Sequence, residues 1–429
     1  MTPLRLLPAP YRALLTLRPV RRLLPALVAS DLGDGMSAVA VAWLAVGLAP
    51  EGRAGPLVGL AVAAYALPGV LGALLFGRRL RRLPPAALLR ADALTRACFL
   101  AAVPIALLCG LLHPAVYVGL LAGSSVLHAW GGGARYALLG SLVPEARRAA
   151  ANALLSTSTW MSTIAGPALA GLLTAFTDPA VVLGLDALTF ALLALRVGTV
   201  DAPGVRGAAG AGPAPGSVRG VLRAQPVLLG LLLLTWGFNF LYGPVEVALP
   251  LYVHDVAGAG GGLLGLYWSL FGCGAVLGTL TVGVLRTLPV RGVVLGIVAG
   301  HGLALLTFWP PAPALVPLTG FAVAGAVYGP YSALSYTLFQ ELTPAALLTS
   351  VLALRGAVLL TAAPLGSALG GPLSGVLGAR ATLGATGAAM VALAAAATVA
   401  VLPRSVLGAR RARRPHPSGR GRRAGRRAR

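Results

Sequence analysis

Apolar runs of about twenty residues recur along the whole chain, separated by short turns, many of which carry arginine. "ALVASDLGDGMSAVAVAWLAVGL", from Ala26 to Leu48, is one such run. Coiled into a helix that rises roughly 1.5 Å per residue, it spans the hydrocarbon layer of a bilayer. In lipid each backbone amide must be satisfied within its own segment, so these runs read as helices. Twelve are present, centred near Met36, Leu67, Ala101, Leu127, Ile164, Leu188, Phe240, Cys273, Val298, Val327, Leu360 and Met390. Only 10% of the residues are charged, against roughly a quarter in an ordinary soluble chain. The expected fold class is therefore all-α, a polytopic membrane protein with twelve transmembrane helices.

Arginine sets the expected orientation, because loops rich in basic residues stay cytoplasmic. Arg5, Arg12, Arg18, Arg21 and Arg22 precede span 1, Arg78, Arg79, Arg81 and Arg82 follow span 2, and Arg147 and Arg148 follow span 4. Arg206, Arg219 and Arg223 lie between spans 6 and 7, and Arg286 and Arg291 between spans 8 and 9, whereas the opposite loops hold only Arg53 and Arg380. Both termini are thus expected in the cytoplasm of a multi-pass protein of the cell (inner) membrane. The tail from Arg404 to Arg429 has eleven arginines and no acidic residue. Such a composition disfavours a packed fold and suits adhesion to anionic lipid rather than to nucleic acid. Cys98, Cys109 and Cys273 lie in apolar spans without metal-ligand spacing, so neither a disulfide framework nor a metal site is expected.

Between spans 6 and 7 the stretch "GTVDAPGVRGAAGAGPAPGSVRG" is rich in Gly, Pro and Ala, the composition of a flexible linker. It divides the chain into an N-terminal segment (1–22), a six-helix half (23–197), a linker (198–224), a second six-helix half (225–403) and the tail (404–429). The halves repeat one another. "VLGALLFG" at Val70 returns as "VLGTLTVG" at Val276, Gly59-Leu60 returns as Gly265-Leu266, and Pro144 as Pro344. Paired six-helix repeats are the signature of a transporter that binds its cargo between them.

No Gly-x-Ser-x-Gly, His-Glu-x-x-His or P-loop is present, so no enzyme is expected. "SDLGDGM", "RYALLGSLVPEARRAAANAL", "LDALTF" and "APLGSALGGPLSGVLG" resemble the major facilitator superfamily, most closely its branch of drug–proton antiporters, macrolide efflux proteins and the enterobactin exporter. That family carries a gating motif between spans 2 and 3. Here Gly72, Gly77, Arg81 and Arg82 remain, but Arg81 replaces its aspartate and Pro84 a glycine. Its antiporter motif in span 5 is approximated by "STIAGPALAG", with Ser162, Gly166, Pro167 and Gly171. Ser162, Gly166 and Ala170, four apart, form a small-residue stripe that lets another helix approach, and Pro167 permits a bend.

Polar residues at membrane depth are the candidates for function. They are Asp31 and Asp34 in span 1, His128 and Trp130 in span 4, Asn239, Tyr242 and Glu246 in span 7, and Tyr328 and Tyr331 in span 10. In the family that this chain resembles, spans 1, 4, 7 and 10 line the central cavity. Asp31 and Asp34, three apart, are expected to project together and titrate as a pair, with Asp34 coupling to protons or substrate, Asp31 tuning it and Glu246 opposite. Asp31 could instead bond backbone or an arginine of a cytoplasmic turn, and His128 a backbone carbonyl. Asp186 is expected in a structural hydrogen bond, Arg355 snorkelling to the surface, and His301 has no assigned role.

The expected activity is secondary transport by alternating access, most specifically proton-coupled export of a hydrophobic or amphipathic small molecule. It would use no cofactor other than the proton gradient and act as a monomer. A uniporter or importer on the same fold, or a non-transporting receptor or assembly factor, remain as alternatives. Topology is directly checkable: reporter fusions at Gly212 and after Pro403 should read as cytoplasmic and one at Gly52 should not. An external signal at Gly212 would overturn the assigned orientation.

Overall fold

A computed structural model of the chain describes residues 13–75, 80, 83–144, 147–200, 222, 226–285, 287–343 and 345–412. Among these residues all regular structure is helical. Among the described residues seven helices precede the expected linker, some of them parts of broken spans: α1 (Arg18–Leu48), α2 (Ala54–Leu75), α3 (Pro85–Leu108), α4 (Pro114–Ser125), α5 (His128–Ser141), α6 (Arg148–Thr174) and α7 (Pro179–Gly198). After it come α8 (Pro226–Leu251), α9 (Gly261–Leu280), α10 (Val290–Leu305), α11 (Leu315–Tyr328), α12 (Tyr331–Leu342), α13 (Ala345–Leu377) and α14 (Ala379–Ala412). A five-residue π-turn, Tyr252–Val256, extends α8.

Among the described residues nine helices are long and apolar enough to cross a membrane, where twelve spans were expected. The difference has local causes. Span 4 is broken between α4 and α5, and span 10 between α11 and α12 at Gly329-Pro330, so neither supplies one helix of full length. The span 5 helix, α6, is continuous but carries Ser156, Thr157, Ser158, Thr159, Ser162 and Thr163 in close succession, which lowers its hydropathy. Element ends also move: α1 starts at Arg18, with Pro19 in its first turn, and α14 runs past Pro403 to Ala412. Ala, Leu and Arg favour helix, which explains why the helix outlasts the apolar run. Gly77, Arg81, Arg82 and nearly all of 198–224, with the tail beyond Ala412, lie outside the described residues.

Helices pack through small residues. A Cβ built on Gly35 of α1 would lie 2.4 Å from the Ser162 carbonyl oxygen of α6, and one on Gly166 would lie 2.4 Å from the Gly35 carbonyl carbon. The expected stripe of span 5 is therefore the seam with span 1. Gly72 of α2 abuts Val126 at the break in span 4, where a Cβ would meet its carbonyl oxygen at 2.0 Å. Large apolar side chains such as Leu108, Phe176 and Val376, each more than 80% exposed, face outward, as lipid contact requires.

The halves meet by α2 against α13 and α6 against α9. Gly59 lies against Gly371, and Gly171 against Gly265, where a Cβ on Gly171 would sit 2.4 Å from the Gly265 Cα. Trp43, near the end of α1, touches Gly261 at the start of α9 and stacks edge-on with His254, ring centroids 6.0 Å apart. Both seams thus lie at the end of the bundle where α1 finishes. Gly171→Leu should destabilise this arrangement by about 1–3 kcal/mol through overpacking, seen as a lower melting temperature in detergent. Gly119→Leu, at an open position, should melt like the parent chain.

Candidate functional site

Four spans of the first half converge on one buried guanidinium. Arg96 of α3 is 2% exposed. Its Nη1 donates to Asp34 Oδ2 at 3.2 Å, and its Nη2 donates to Asp34 Oδ1. Nη2 also donates to the Tyr65 hydroxyl at 2.6 Å, which in turn donates to Asp34 Oδ1 at 2.6 Å. Nη1 lies 2.6 Å from His128 Nδ1. Because a guanidinium only donates, His128 must accept there, which places its proton on Nε2. The flat face of Arg96 stacks on Phe190 of α7, 4.3 Å from the ring centroid. This arrangement answers what burial of a charge demands: an ion pair whose remaining valences are met by hydrogen bonds and a π-face.

A second ion pair lies one turn away on α1. Arg135 of α5 grips Asp31 with both ends of its fork, Nη1 to Oδ1 at 2.5 Å and Nη2 to Oδ2 at 2.6 Å. Ser158 donates to Asp31 Oδ2 at 2.6 Å, and Ser162 to the Asp31 backbone oxygen at 2.5 Å. The two aspartates therefore do not form a carboxylate pair, as their spacing suggested. Three residues along a helix leave their side chains about 60° apart, enough to send Asp34 to α3 and Asp31 to α5. Each has its own arginine, and neither arginine comes from a turn.

The second half presents the opposite chemistry. Glu246 of α8 lies 3.1 Å from the Ser367 hydroxyl of α13. That single hydroxyl proton is also within reach of the carbonyls of Gly243 and Ala363. Among the described residues Glu246 forms no ion pair. Around it stands an aromatic wall. Tyr242 stacks on Tyr328 with centroids 5.8 Å apart, and Phe271 lies 5.8 Å from Trp268 and 5.7 Å from Tyr328. His301 is buried beneath this wall, its Nδ1 donating to the Ala324 carbonyl at 3.0 Å.

Both arrangements border one cavity of about 630 Å³ between the halves. Asp31, Asp34, Tyr65, His128 and Arg135 line one side, and Tyr242, Glu246, Trp268, Phe271 and Tyr328 the other, with Ser162 and Pro167 between them. Of the residues expected at such a site, Asn239, Trp130 and Tyr331 do not line it. Asn239 turns back to the Thr235 carbonyl, 2.8 Å away, because a helical Asn can bond one turn behind itself. Tyr331 is buried and donates to Thr235 Oγ1 at 3.1 Å. The Trp130 indole N–H is buried without a partner. Asp186 accepts from Ser37 at 2.6 Å and from Thr189 at 3.1 Å. Arg355 does not snorkel: it is 5% exposed, 4.0 Å above the Tyr336 ring and 3.3 Å from Ser335 Oγ.

Arg96, Arg135, Tyr65 and Asp92 were not among the expected site residues. The signal existed, since "RADALTRACFL" and "GGGARYALLG" place charge inside apolar spans, where it is rarely idle.

The family model for the Major Facilitator Superfamily matches residues 23–359. The chain belongs to that superfamily. It is 30% identical over 375 residues to the multidrug efflux pump Tap of Mycobacterium bovis, covering 82% of this chain and 85% of that one. To Tap of Mycolicibacterium fortuitum it is 29% identical, covering 90% and 96% of the two chains. An MFS-type transporter of Sinorhizobium fredii is 28% identical, with 73% and 79% covered. Among solved structures, a bacterial homologue of the lysosomal transporter Spinster, in an inward-facing, unoccupied conformation, aligns with TM-score 0.67 at 15% identity, covering 90% of this chain and 95% of that one. A D-xylose–proton symporter aligns at 0.63 and 16%, with 88% and 96% covered. As a member of that superfamily with transporters as its relatives, the chain is a membrane transporter and not an enzyme.

If the ion pair of Arg96 holds the first half together, breaking it from one side should cost about 3–5 kcal/mol. Arg96→Ala should accordingly lose most folded protein in detergent thermal melts. Arg96→Gln combined with Asp34→Asn removes both charges and should recover much of that loss.

Proposed function

We propose that this transporter exports hydrophobic or amphipathic small molecules, lipophilic cations above all, in exchange for protons. The observation that carries this reading is Glu246, a carboxylate that pairs with no cation among the described residues, at the edge of an aromatic-walled cavity. Aromatic faces attract cations as well as apolar surface, so Tyr242, Trp268, Phe271 and Tyr328 suit a flat or bulky organic cation, and Glu246 supplies its counter-charge. One carboxylate can be neutralised by a proton or by a cationic substrate but gains little from both. Competition of that kind lets Glu246 release its cation, while a separate carboxylate couples the proton. The similarity to multidrug efflux pumps supports the direction of transport.

Asp34 is the proton-coupling residue in this scheme. Its carboxylate is 31% exposed and faces the cavity, so a proton can reach it from there. Protonation removes the charge that holds the Arg96 guanidinium and the Tyr65 hydroxyl, and Tyr65 itself lines the cavity. With termini in the cytoplasm of the inner membrane and twelve spans in two halves, the Gly59–Gly371 and Gly171–Gly265 seams close the outer side. Substrate then enters from the cytoplasm, and rocking of the halves re-exposes it outside. The protein works as a monomer, without a cofactor, drawing on the proton gradient.

Purified protein in liposomes loaded with ethidium or tetraphenylphosphonium provides the test. An imposed proton gradient should drive accumulation of either cation, with proton movement in the opposite direction. Asp34→Asn should abolish uphill accumulation while leaving exchange of labelled for unlabelled cation measurable. Glu246→Gln should lower cation transport at least tenfold and spare neutral hydrophobic substrates. Undiminished proton-driven accumulation in Asp34→Asn would remove Asp34 from the coupling scheme, and equal loss of neutral and cationic substrates in Glu246→Gln would remove the counter-charge role.

A further inference from the structure

The first half holds a third carboxyl that neither ion pair uses. Asp92 of α3 is 4% exposed, does not line the cavity, and its Oδ1 has no hydrogen-bond partner. It precedes Arg96 by four residues on the same helix, the spacing at which side chains become neighbours. The carboxyl is pressed against α5: a Cβ on Gly131 would sit 1.9 Å from Asp92 Oδ2. Gly131 is therefore the residue that makes room for it. A carboxylate left ionised and unpaired in such a place is strongly disfavoured. Yet a guanidinium lies one turn away, engaged by Asp34.

We propose that Asp92 and Asp34 share one proton and one guanidinium in opposite senses. In the arrangement seen here the proton resides on Asp92 and Arg96 pairs with Asp34. In the alternative, Arg96 swings back along α3 to Asp92, and the proton that Asp92 gives up resides on Asp34. The exchange creates and destroys no charge: one carboxyl is ionised and paired, the other is neutral, in both states. What changes is access. On Asp92 the proton is sealed from the cavity, and on Asp34 it faces the cavity. Asp92 is thus a positioning residue that acts through Arg96, and it rests on the reading of Asp34 as the coupling residue.

The groups around Asp92 fit this role. Arg96 stands on its own helix. From α5 come His128, which accepts from Arg96 and so carries no positive charge here, and Arg135, already held by Asp31. Asp34 of α1, Tyr65 of α2 and Asp186 of α7 are the other titratable groups around the same guanidinium, and Asp186 is occupied by Ser37 and Thr189. Among the described residues, Arg96 is the cation placed to turn to Asp92.

The test uses full-length protein in liposomes, with ethidium as the transported probe, and infrared difference spectra of protein whose aspartates carry carbon-13. Asp92→Asn can neither store the proton nor receive the guanidinium. It should lose proton-driven ethidium accumulation at least tenfold while ethidium counterflow stays within twofold of the parent, whereas a merely structural role would lower both together. The infrared measurement does not depend on that variant folding. The parent should show a protonated aspartate carbonyl band. Asp34→Asn, in which Arg96 has only Asp92 to turn to, should lose it. A band that persists in Asp34→Asn, or full proton-driven accumulation in Asp92→Asn, overturns the exchange. A parent protein that moves no protons with ethidium would instead overturn proton coupling, and the infrared result would still decide the exchange.

Discussion

A permanent positive charge buried among apolar helices is the constraint from which much of this structure follows. Arg96 cannot shed its proton, and no bulk water reaches a side chain that is 2% exposed. Its charge has to be answered by Asp34 from span 1, its spare donors by Tyr65 from span 2 and His128 from span 4, and its face by Phe190 from span 6. One side chain thus ties together five of the spans expected in the first half. The hydrophobic effect cannot do this, since lipid tails are as apolar as leucine, and helix association in a membrane relies on packing and polar contacts instead. The second pair, Asp31 with Arg135, adds a further tie between span 1 and span 4.

Close packing supplies the rest. Small residues let α1 and α6 approach until the Ser162 hydroxyl reaches the Asp31 backbone oxygen at 2.5 Å. On another face of the same helix, Gly171 touches the other half at Gly265. One helix therefore holds Asp31 and forms part of the seam between halves. A shift in the charge network of α1 is felt directly by a helix that the halves share as a contact. The interruptions of spans 4 and 10 occupy corresponding places and lie close to His128 and Tyr328, both of which border the cavity. Broken helices at matching positions are where transporters of repeated halves tend to place their sites.

The helical architecture was legible in the sequence because length and hydropathy alone dictate it. Asp34, Glu246, Tyr242, Tyr328 and His128 were also legible as site candidates, since polar residues in lipid-spanning runs are conspicuous. What could not be read was pairing. Arg96 and Asp34 are 62 residues apart, and Arg135 and Asp31 are 104 apart, so no local spacing relates them. Uniform use of arginine worsened the problem, because every basic residue looked like a topology marker. The Asp31–Asp34 spacing misled for a different reason. Periodicity tells which face a residue occupies, and a difference of about 60° within that face decides which neighbouring helix it meets.

The two halves repeat in sequence but not in charge. In the first half both aspartates at the cavity are matched by an arginine, and each pair is fixed by further hydrogen bonds. In the second, Glu246 is half-buried at the cavity and Arg355 is buried, and neither forms an ion pair among the described residues. They do not meet. Glu246 contacts α13 at Ser367, twelve residues beyond Arg355, which along a helix is about 18 Å. Arg355 is instead held by the Tyr336 ring, and Glu246 by one shared hydroxyl. A half that satisfies its own charges presents a cation with little new to gain, while one that leaves a carboxylate unanswered beside aromatic rings rewards whatever positive charge arrives. The sequence repeat therefore built two similar scaffolds with different electrostatics, and the proposed function assigns proton handling to the matched half and selection of cargo to the unmatched one.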